Sequence, residues 1–343
     1  MKFDFIIGNP PYQEEQDGDN KTFSPPIYHK FMDECYKVAD KVELITPARF
    51  LFNAGSTPKD WNKKMLSDPH FKISLYEQDS SKLFNGTDIK GGVCISYRDK
   101  DMNFGAIESF TPFVELNSIM KKAAPHDEND SLMSIVFIQN RFNLDELYKS
   151  YPDAIYSIGS EGKDKRLEKN IFTKVSEAFT DTPKKSNDIK ILGIINNVRT
   201  WKYIEHRLID FEHENLEKYK VFLPTSNGSG AIGEVLSTPL VGEPLVGHTR
   251  SFISIGAFGT CDEANNCLKY VKSKFCRTML GILKITQDNN RDTWRYVPLQ
   301  DFTSRSDIDW SQSVSGIDEQ LYKKYKLDSK EIDFIETHVK EME

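Results

Sequence analysis

Cysteine is scarce in this chain of 343 residues, and its five cysteines are scattered. They are Cys35, Cys94, Cys261, Cys267 and Cys276, and no two of them form a Cys-x-x-Cys pair. Zinc sites and disulfide frameworks need matched cysteine spacings, so this pattern disfavours both. Few cysteines, odd in number, are typical of reduced thiols in a cytosolic protein, and we expect a cytoplasmic location.

Long apolar runs are also absent. No stretch of about 18 apolar residues occurs, which argues against a membrane span. Residues 1–8 contain a short apolar stretch but no small-residue cleavage site, so they do not read as a signal peptide. No internal repeat is visible.

A strong positive charge is missing as well, since the net charge is −7. Taken alone, that value disfavours a nucleic-acid partner. The distribution is uneven, because residues 184–300 carry 16 basic and 12 acidic residues while both flanking segments are acidic. A local basic face could meet phosphates there, and an ordinary mixed surface explains the same counts equally well.

Apolar runs punctuated by proline and glycine predict an α/β domain over residues 1–110. Strands are expected at 3–7, 42–46, 71–76 and 93–97, with helices beginning near Pro26 and Pro58. Three consecutive apolar residues in the first strand are typical of a strand buried on both faces of a mostly parallel sheet. The last two strands are expected to form an antiparallel hairpin at the sheet edge.

The rest of the chain has a different texture. Residues 111–185 are more polar and predict a connecting, partly helical region. Residues 186–343 alternate short apolar runs with glycine- and asparagine-rich turns, which predicts an α+β domain. Within it we expect one helix over 263–283. A second helix is expected near the C-terminus, where Asp328 and Glu331 have the spacing of a capping box.

The most informative residues are Asn9-Pro10-Pro11-Tyr12, which directly follow the first apolar strand. With Phe5-Ile6-Ile7-Gly8 before them, they resemble the catalytic motif of the amino-methyltransferases that modify adenine N6 or cytosine N4 in DNA. The resemblance implies that the Asn9 side chain and the Pro10 carbonyl hold the amino group of a flipped adenine. Pro11 would stiffen the loop, and Tyr12 would stack on the base.

Two further segments extend the resemblance. Residues 75–95 are similar to the strand, aromatic residue and hairpin that follow the catalytic loop in that family, which implies that Phe84 stacks on the flipped base opposite Tyr12. A core position for Phe84 stays open. The C-terminal half looks like the target-recognition region of type II enzymes that fuse restriction and modification in bacteria. The segments that carry this likeness are 222–224, 227–230, 263–275, 286–289, 297–298, 308–310, 320–322 and 334–336.

That second likeness implies double-stranded DNA as a partner and a set of DNA-contacting side chains. Arginine can bond guanine edges, and serine or lysine can hold phosphates. The candidates are Asn227, Ser229, Arg250, Arg291, Trp294 and Arg295. For each of them an ordinary surface role stays open.

One departure from the family matters as much as the match. The glycine loop that binds S-adenosylmethionine precedes the Asn-Pro-Pro-Tyr motif in the γ-type motif order, and only eight residues precede Asn9 here. We therefore expect a partial Rossmann-like sheet, its C-terminal half, with Asn9 and Pro11 touching the cofactor. An N-terminal part or a partner subunit would supply the rest. A fragment, a split subunit and a truncated relic all stay open, as does a homodimer formed through an unpaired first strand.

Alternative sites are weaker. Residues 228–233 fit Gly-x-Gly-x-x-Gly formally, and residues 256–260 follow an apolar strand, so either could be a cofactor loop in a permuted enzyme. Acidic residues at 210–214 and the histidines His206 and His213 are interpreted as surface or core residues, and no metal site is expected. A DNA-recognition module without catalytic activity is the alternative function.

Overall fold

The structure, a computed structural model, describes residues 2–14, 24–53, 56–87, 89, 91–107, 109–228, 230–284 and 287–342. The chain divides into a first unit, Met1–Phe113, and a second unit, Val114–Glu343. Residues 114–185 are part of the second unit, because Phe142 and Phe179 share one core with Ile189 and Ile204. None of the described helices has the length and apolar character needed to span a membrane.

Within its described residues, the first unit is a four-stranded mixed sheet with two α-helices. Its elements are β1 (Phe3–Gly8), α1 (Tyr28–Val38), β2 (Ala39–Pro47), α2 (Lys59–Ser67), β3 (Phe71–Glu77) and β4 (Val93–Asp99). The strand order is β1-β2-β4-β3. β1 runs parallel to β2, and β4 is antiparallel to both β2 and β3, so the predicted antiparallel hairpin forms at the sheet edge.

The expectation that β1 is buried on both faces is wrong for this chain. β1 lies at the other edge of the sheet and pairs with β2. Phe3 is 47% exposed, Phe5 45% and Ile7 74%. Three apolar residues in a row identify a strand, but they do not by themselves place it inside the sheet, and among the described residues β1 pairs with a strand on one side.

Proline and glycine set the ends of these elements. Pro47 ends β2, and Pro58 stands at the N-cap of α2. Gly92 has a φ of +75°, and a Cβ there would lie 2.4 Å from the carbonyl oxygen of Glu77. Only glycine therefore fits where the chain enters β4. The core between sheet and helices is aromatic, with Phe50, Trp61 and neighbouring rings in edge contact.

The described part of the second unit contains two four-stranded sheets and several helices. Its strands are β5 (Val136–Phe137), β6 (Phe179–Thr180), β7 (Ile189–Ile195), β8 (Val198–Ile204), β9 (Tyr219–Pro224), β10 (Leu240–Gly242), β11 (Val246–His248) and β12 (Phe252–Phe258). Its helices are α3 (Val114–Ala123), α4 (Leu144–Ser150), α5 (Gly159–Gly162), α6 (Ile171–Lys174), α7 (Cys261–Lys272), α8 (Lys274–Gly281), α9 (Val314–Lys324) and α10 (Ser329–His338). The sheet orders are β10-β9-β12-β5 and β11-β7-β8-β6.

Local sequence explains several of these elements. Asn196 and Asn197 both have positive φ and close the two-residue β7–β8 hairpin, as asparagine often does. The predicted single helix over 263–283 is wrong, because it is two helices that meet at Ser273. The Ser273 side chain accepts a hydrogen bond from the Cys276 amide and so caps α8. The predicted capping box of α10 is confirmed.

Candidate functional site

The carboxyl ends of three strands meet at one edge of the first unit's sheet. β1, β2 and β3 point the same way, because each lies parallel to β2 or antiparallel to β4. The loops after Gly8, Pro47 and Glu77 therefore lie at this edge, together with the start of β4. Ligands of open α/β sheets bind outside the carboxyl ends of the strands, so this edge is the place to look for a site.

The Asn9–Pro11 loop is accessible at this edge. Asn9 and Pro11 are exposed, and Pro10 is half-buried. Within the described residues, neither the Asn9 side chain nor the Pro10 carbonyl makes a hydrogen bond. Two acceptor oxygens at the tip of β1 are therefore free to hold an amino group. The loop is not packed into the core. Packing there would have excluded it as a binding site.

Tyr12 anchors the far end of the loop. Its carbonyl accepts a hydrogen bond from the Ile27 amide at 3.1 Å, and the next residues pair with Pro25 and Pro26 just before α1. Its hydroxyl is buried and has no hydrogen-bond partner among the described residues. Burial, with a smaller contribution from Cys94, raises the pKa of Tyr12 to about 12. The phenol is thus neutral at physiological pH, and its ring is only partly covered.

Phe84 lies in the turn between β3 and β4, at the same edge of the sheet. It is half-buried. Ser80 organises this turn, since its carbonyl accepts from the Phe84 amide at 2.9 Å and its hydroxyl donates to the Thr87 carbonyl at 3.0 Å. The Phe84 backbone is therefore held in place, while part of its ring faces solvent. Its role as a base-stacking residue stays a prediction.

An aromatic cluster at this edge was not predicted from the sequence. Phe52, Tyr76 and Phe110 contact one another edge to face, with ring centroids 5.4–5.7 Å apart. Tyr76 pairs with Cys94 in the sheet and donates to the Gly91 carbonyl at 3.4 Å. The three rings are half-buried and give the edge an apolar wall. Their spacing along the sequence carries no signal, because Tyr76 lies in β3 while Phe52 and Phe110 lie outside the strands and reach it through the tertiary fold.

The second unit has a polar groove of about 370 Å³ at the end of the β9-β12-β5 sheet. β9 ends and β12 begins at this end, and β5 ends beside the start of β12, so three loops converge there. Arg250 and Arg291, both predicted to contact DNA, line this groove. Arg166 and Lys169 line it too and were not predicted. Asp288 adds a carboxylate to the same wall.

Two of these arginines form ion pairs with acidic residues. Arg166 donates through Nε and Nη2 to the two carboxylate oxygens of Asp164, both at 2.8 Å. Arg166 in turn holds the pKa of Asp164 below its ordinary value. Arg250 donates through Nη1 to both oxygens of Glu168 at 3.2 Å. The groove therefore presents oriented guanidinium groups and little net positive charge.

Other predicted DNA contacts lie elsewhere. The prediction that Trp294 contacts DNA is wrong. Trp294 is fully buried and its Nε1 donates to Asn289 Oδ1 at 3.0 Å, which makes it a core residue. Asn227 is also buried and donates to the Val235 carbonyl, so it supports a turn. Ser229 lies outside the described residues. Arg295 is exposed but does not line the groove.

The alternative cofactor loops have unsuitable surroundings. A Cβ at Gly228 would collide with the Glu234 carboxylate, and residues 231–239 contain turns instead of the helix that a dinucleotide loop requires. The loop between β12 and α7 is better placed, but Glu263 at the start of α7 accepts a hydrogen bond from the Gly259 amide. Among the described residues no three His, Cys, Asp or Glu side chains are arranged to hold a metal ion.

Two sequence comparisons relate this chain to methylases. Residues 1–84 match the family described as Eco57I restriction-modification methylase. A curated protein of Mycoplasma pneumoniae, "Uncharacterized adenine-specific methylase", is 31% identical over 96 residues, which are 27% of this chain and 23% of that protein. One of these similarities is thus to a restriction-modification methylase family and the other to an adenine-specific methylase.

One solved structure resembles the chain over 98% of its length, at 10% identity and a TM-score of 0.38. It is the type IIL restriction-modification enzyme MmeI in complex with DNA, and the match covers 56% of that chain. The chain thus spans less than two thirds of both proteins, and the activity of a whole enzyme is a matter for proposal.

Proposed function

We propose that this chain carries the base-holding loop and the target-recognition part of an adenine-N6 DNA methyltransferase in a restriction–modification system. It would act together with a cofactor-binding part outside residues 1–343. The substrate is a specific sequence in double-stranded DNA, from which one adenine is flipped into the first unit.

The observation that carries this proposal is the state of residues 9–12. Asn9 and the Pro10 carbonyl are free acceptors at the carboxyl end of a strand, and the loop is fixed on both sides by β1 and by the Tyr12–Ile27 hydrogen bond. The similarity of residues 1–84 to restriction-modification methylases supports the same reading.

The chemistry follows from these acceptors. The exocyclic amine of adenine is a weak nucleophile, because its lone pair is delocalised into the ring. The Asn9 Oδ1 and the Pro10 carbonyl oxygen would each accept one N–H, which directs the lone pair towards the methyl donor. Tyr12 and Phe84 would hold the base between their rings. No general base is required, since the proton can leave after the methyl group has arrived.

S-adenosylmethionine supplies the methyl group in such a reaction. The described residues fit one wall of its site. In doubly wound sheets the cofactor crevice opens beside the strand at which the strand order reverses, and we assign that position to β1, which among the described residues has one unpaired edge, with Asn9 and Pro11 exposed at its tip. A strand added to that edge would bring the opposite wall. The free edge of β1 is therefore the surface on which we expect the cofactor-binding part to dock.

Methyl transfer to DNA tests the proposal. The protein is assayed with its cofactor-binding part present, with S-adenosylmethionine labelled in the methyl group, and the product nucleosides are identified by mass spectrometry. Asn9→Ala should lower transfer by about 100-fold or more, since one preorganised polar group of this kind is worth that much. Asn187→Ala changes an exposed asparagine without a described hydrogen bond and should leave transfer intact.

Two results would reject this assignment. Retained methylation in the Asn9→Ala variant would remove the loop from the mechanism. N4-methylcytosine in place of N6-methyladenine would give the loop a different base. Unchanged affinity of the Asn9→Ala variant for DNA is expected, because recognition is assigned to the second unit.

The free edge of β1 also favours a second function, a DNA-recognition module without activity of its own. Calorimetry with the isolated chain tests the need for a cofactor-binding part, which both functions share. We expect binding to DNA and no micromolar binding of S-adenosylmethionine. Micromolar cofactor binding by residues 1–343 alone would contradict the need for a further part.

A further inference from the structure

We propose that Arg250 reads a guanine in the DNA target, with Glu168 holding its guanidinium group in the reading position. The inference rests on the proposed function in one respect, namely that the second unit binds a specific DNA sequence. It adds the residue and the base that this recognition uses.

The backbone at Arg250 is held on both sides. Its amide donates to the Leu167 carbonyl at 2.7 Å, and its carbonyl accepts from the Thr225 hydroxyl at 3.2 Å. The Thr225 amide donates in turn to the Ser251 carbonyl at 3.0 Å. The loop before β12 is therefore bonded to two other loops of the groove. A side chain on such a platform loses little freedom when it binds, which favours specific contacts.

The guanidinium group has one bonded edge and one open edge. Both oxygens of Glu168 bond the same nitrogen, Nη1, at 3.2 Å. Within the described residues Nε and Nη2 have no acceptor, and the Arg250 side chain is half exposed. Two parallel N–H donors match the O6 and N7 acceptors of guanine in the major groove. No other base offers two acceptors on its major-groove edge in this arrangement.

Arg166 makes the contrast clear. Its Nε and Nη2, the pair that Arg250 leaves open, are bound to Asp164. Arg166 therefore cannot offer this pair of N–H donors to a base. Its Nε also lies 3.5 Å from Glu168 Oε1. We assign Arg166 a positioning role, in which it keeps the Glu168 carboxylate in place for Arg250.

The charge balance favours base reading over phosphate binding at Arg250. Glu168 neutralises much of its charge, and a phosphate contact gains mainly from net charge. Lys169, on the same groove, is exposed and has no ion pair among the described residues. Lys169 is the residue that suits a phosphate. The two neighbours should therefore respond differently to substitution.

The test selects duplexes from a random DNA library with the chain of residues 1–343 and sequences the bound fraction. The wild-type chain should enrich a sequence with guanine at one or more positions. Arg250→Ala should lower the preference for guanine at one position by about 10- to 100-fold and leave the others unchanged. Arg250→Lys keeps the charge without the fork and should lose most of the same preference.

Two further variants complete the test. Lys169→Ala should weaken binding to all sequences equally. The slope of log affinity against log salt concentration should fall by about one, which corresponds to one ion fewer released on binding. Arg305→Ala changes an exposed arginine of the second unit outside the groove and should change neither. Equal melting temperatures would exclude unfolding as the cause of any change.

The outcomes separate this inference from the proposed function. If wild-type protein selects a sequence and Arg250→Ala selects the same one, the assignment of Arg250 is wrong while DNA recognition stands. A uniform loss of affinity with a smaller salt dependence in Arg250→Ala would make it a phosphate contact and overturn the inference. If the wild-type chain selects no sequence, both the inference and the recognition role fail.

Discussion

His248 is a buried imidazole whose protonation should destabilise the second unit in weak acid. It is almost fully buried. Its Nδ1 lies 3.1 Å from the Thr249 carbonyl oxygen and donates to it, and its Nε2 lies 3.0 Å from the Ser254 hydroxyl and accepts from it. A neutral ring satisfies both contacts. Burial lowers the pKa of His248 to about 3, against the small opposing effect of the Thr249 carbonyl.

The size of the effect follows from the two pKa values. In the unfolded chain the pKa of a histidine is about 6.5, so between that value and about 3 the unfolded state of His248 binds the proton and the folded state does not. The stability from the neutral ring is present above pH 6.5 and is lost as the pH falls towards 3. At pH 5 the loss is about 2 kcal/mol, since each pH unit is worth about 1.4 kcal/mol. Burial also lowers the pKa of His213, which adds to the loss in the same direction.

Urea unfolding at pH 7.5 and pH 5.0 measures this loss. Tryptophan fluorescence in a Trp61→Phe background reports on the second unit, because the other tryptophans all lie there. The difference in unfolding free energy between the two pH values should shrink by about 2 kcal/mol in His248→Gln. His126→Gln, at an exposed histidine, should keep the full difference. An unchanged pH dependence in His248→Gln would refute the reasoning.

The remaining predictions concern stability. Gly92→Ala should destabilise the first unit by about 2–4 kcal/mol, because of its positive φ and the contact with the Glu77 carbonyl, and thermal melting measures this. Ser273→Ala should cost about 1–2 kcal/mol through loss of the cap on the Cys276 amide, while Ser273→Asp, which can also cap, should recover part of it. Trp294→Phe should lower the melting temperature without changing the DNA sequence selected, which a binding selection would reveal.

Local patterns were sufficient to predict much of the first unit. β2 ends at Pro47, and α2 begins after Pro58, as a residue without an amide hydrogen dictates. The same holds for the capping box at Asp328 and Glu331. In each case the decisive interaction lies within a few residues of the chain, so that the sequence alone contains it.

Predictions failed where distant contacts decide the outcome. Trp294 has arginines nearby in the sequence and was expected at the DNA surface, but its burial depends on packing within the second unit and on Asn289. The helix over 263–283 has an unbroken apolar pattern, and Ser273 breaks it because its capping bond is available. The apolar pattern of β1 was recognised, but its edge position and its exposure depend on how distant segments pair and pack, which the local pattern does not contain.

The groove of the second unit shows the same limit for function. Its basic residues stand at positions 166, 169, 250 and 291, and no spacing links them. The antiparallel register of β5, β9 and β12 brings their loops to one end of the sheet. The sequence predicted only that some arginines contact DNA, without indicating which of them read a base. Only the bonding of each guanidinium group distinguishes Arg250 from Arg166.

The exposed edge of β1 leads to a final prediction, which concerns self-association of the chain. An unpaired apolar strand invites another strand, either from the cofactor-binding part or from a second copy of the chain. We expect the isolated chain to self-associate, and Ile7→Lys should weaken this association by roughly 100-fold or more, since burying each Ile side chain is worth about 1.5–3 kcal/mol and two copies lose it. Val198→Lys, at an exposed apolar residue of β8, should have no effect in sedimentation velocity experiments over a range of concentrations. A wild-type chain that stays monomeric at all concentrations would contradict self-pairing. If self-association of the chain is lost when the cofactor-binding part is added, that part is the one that binds the β1 edge.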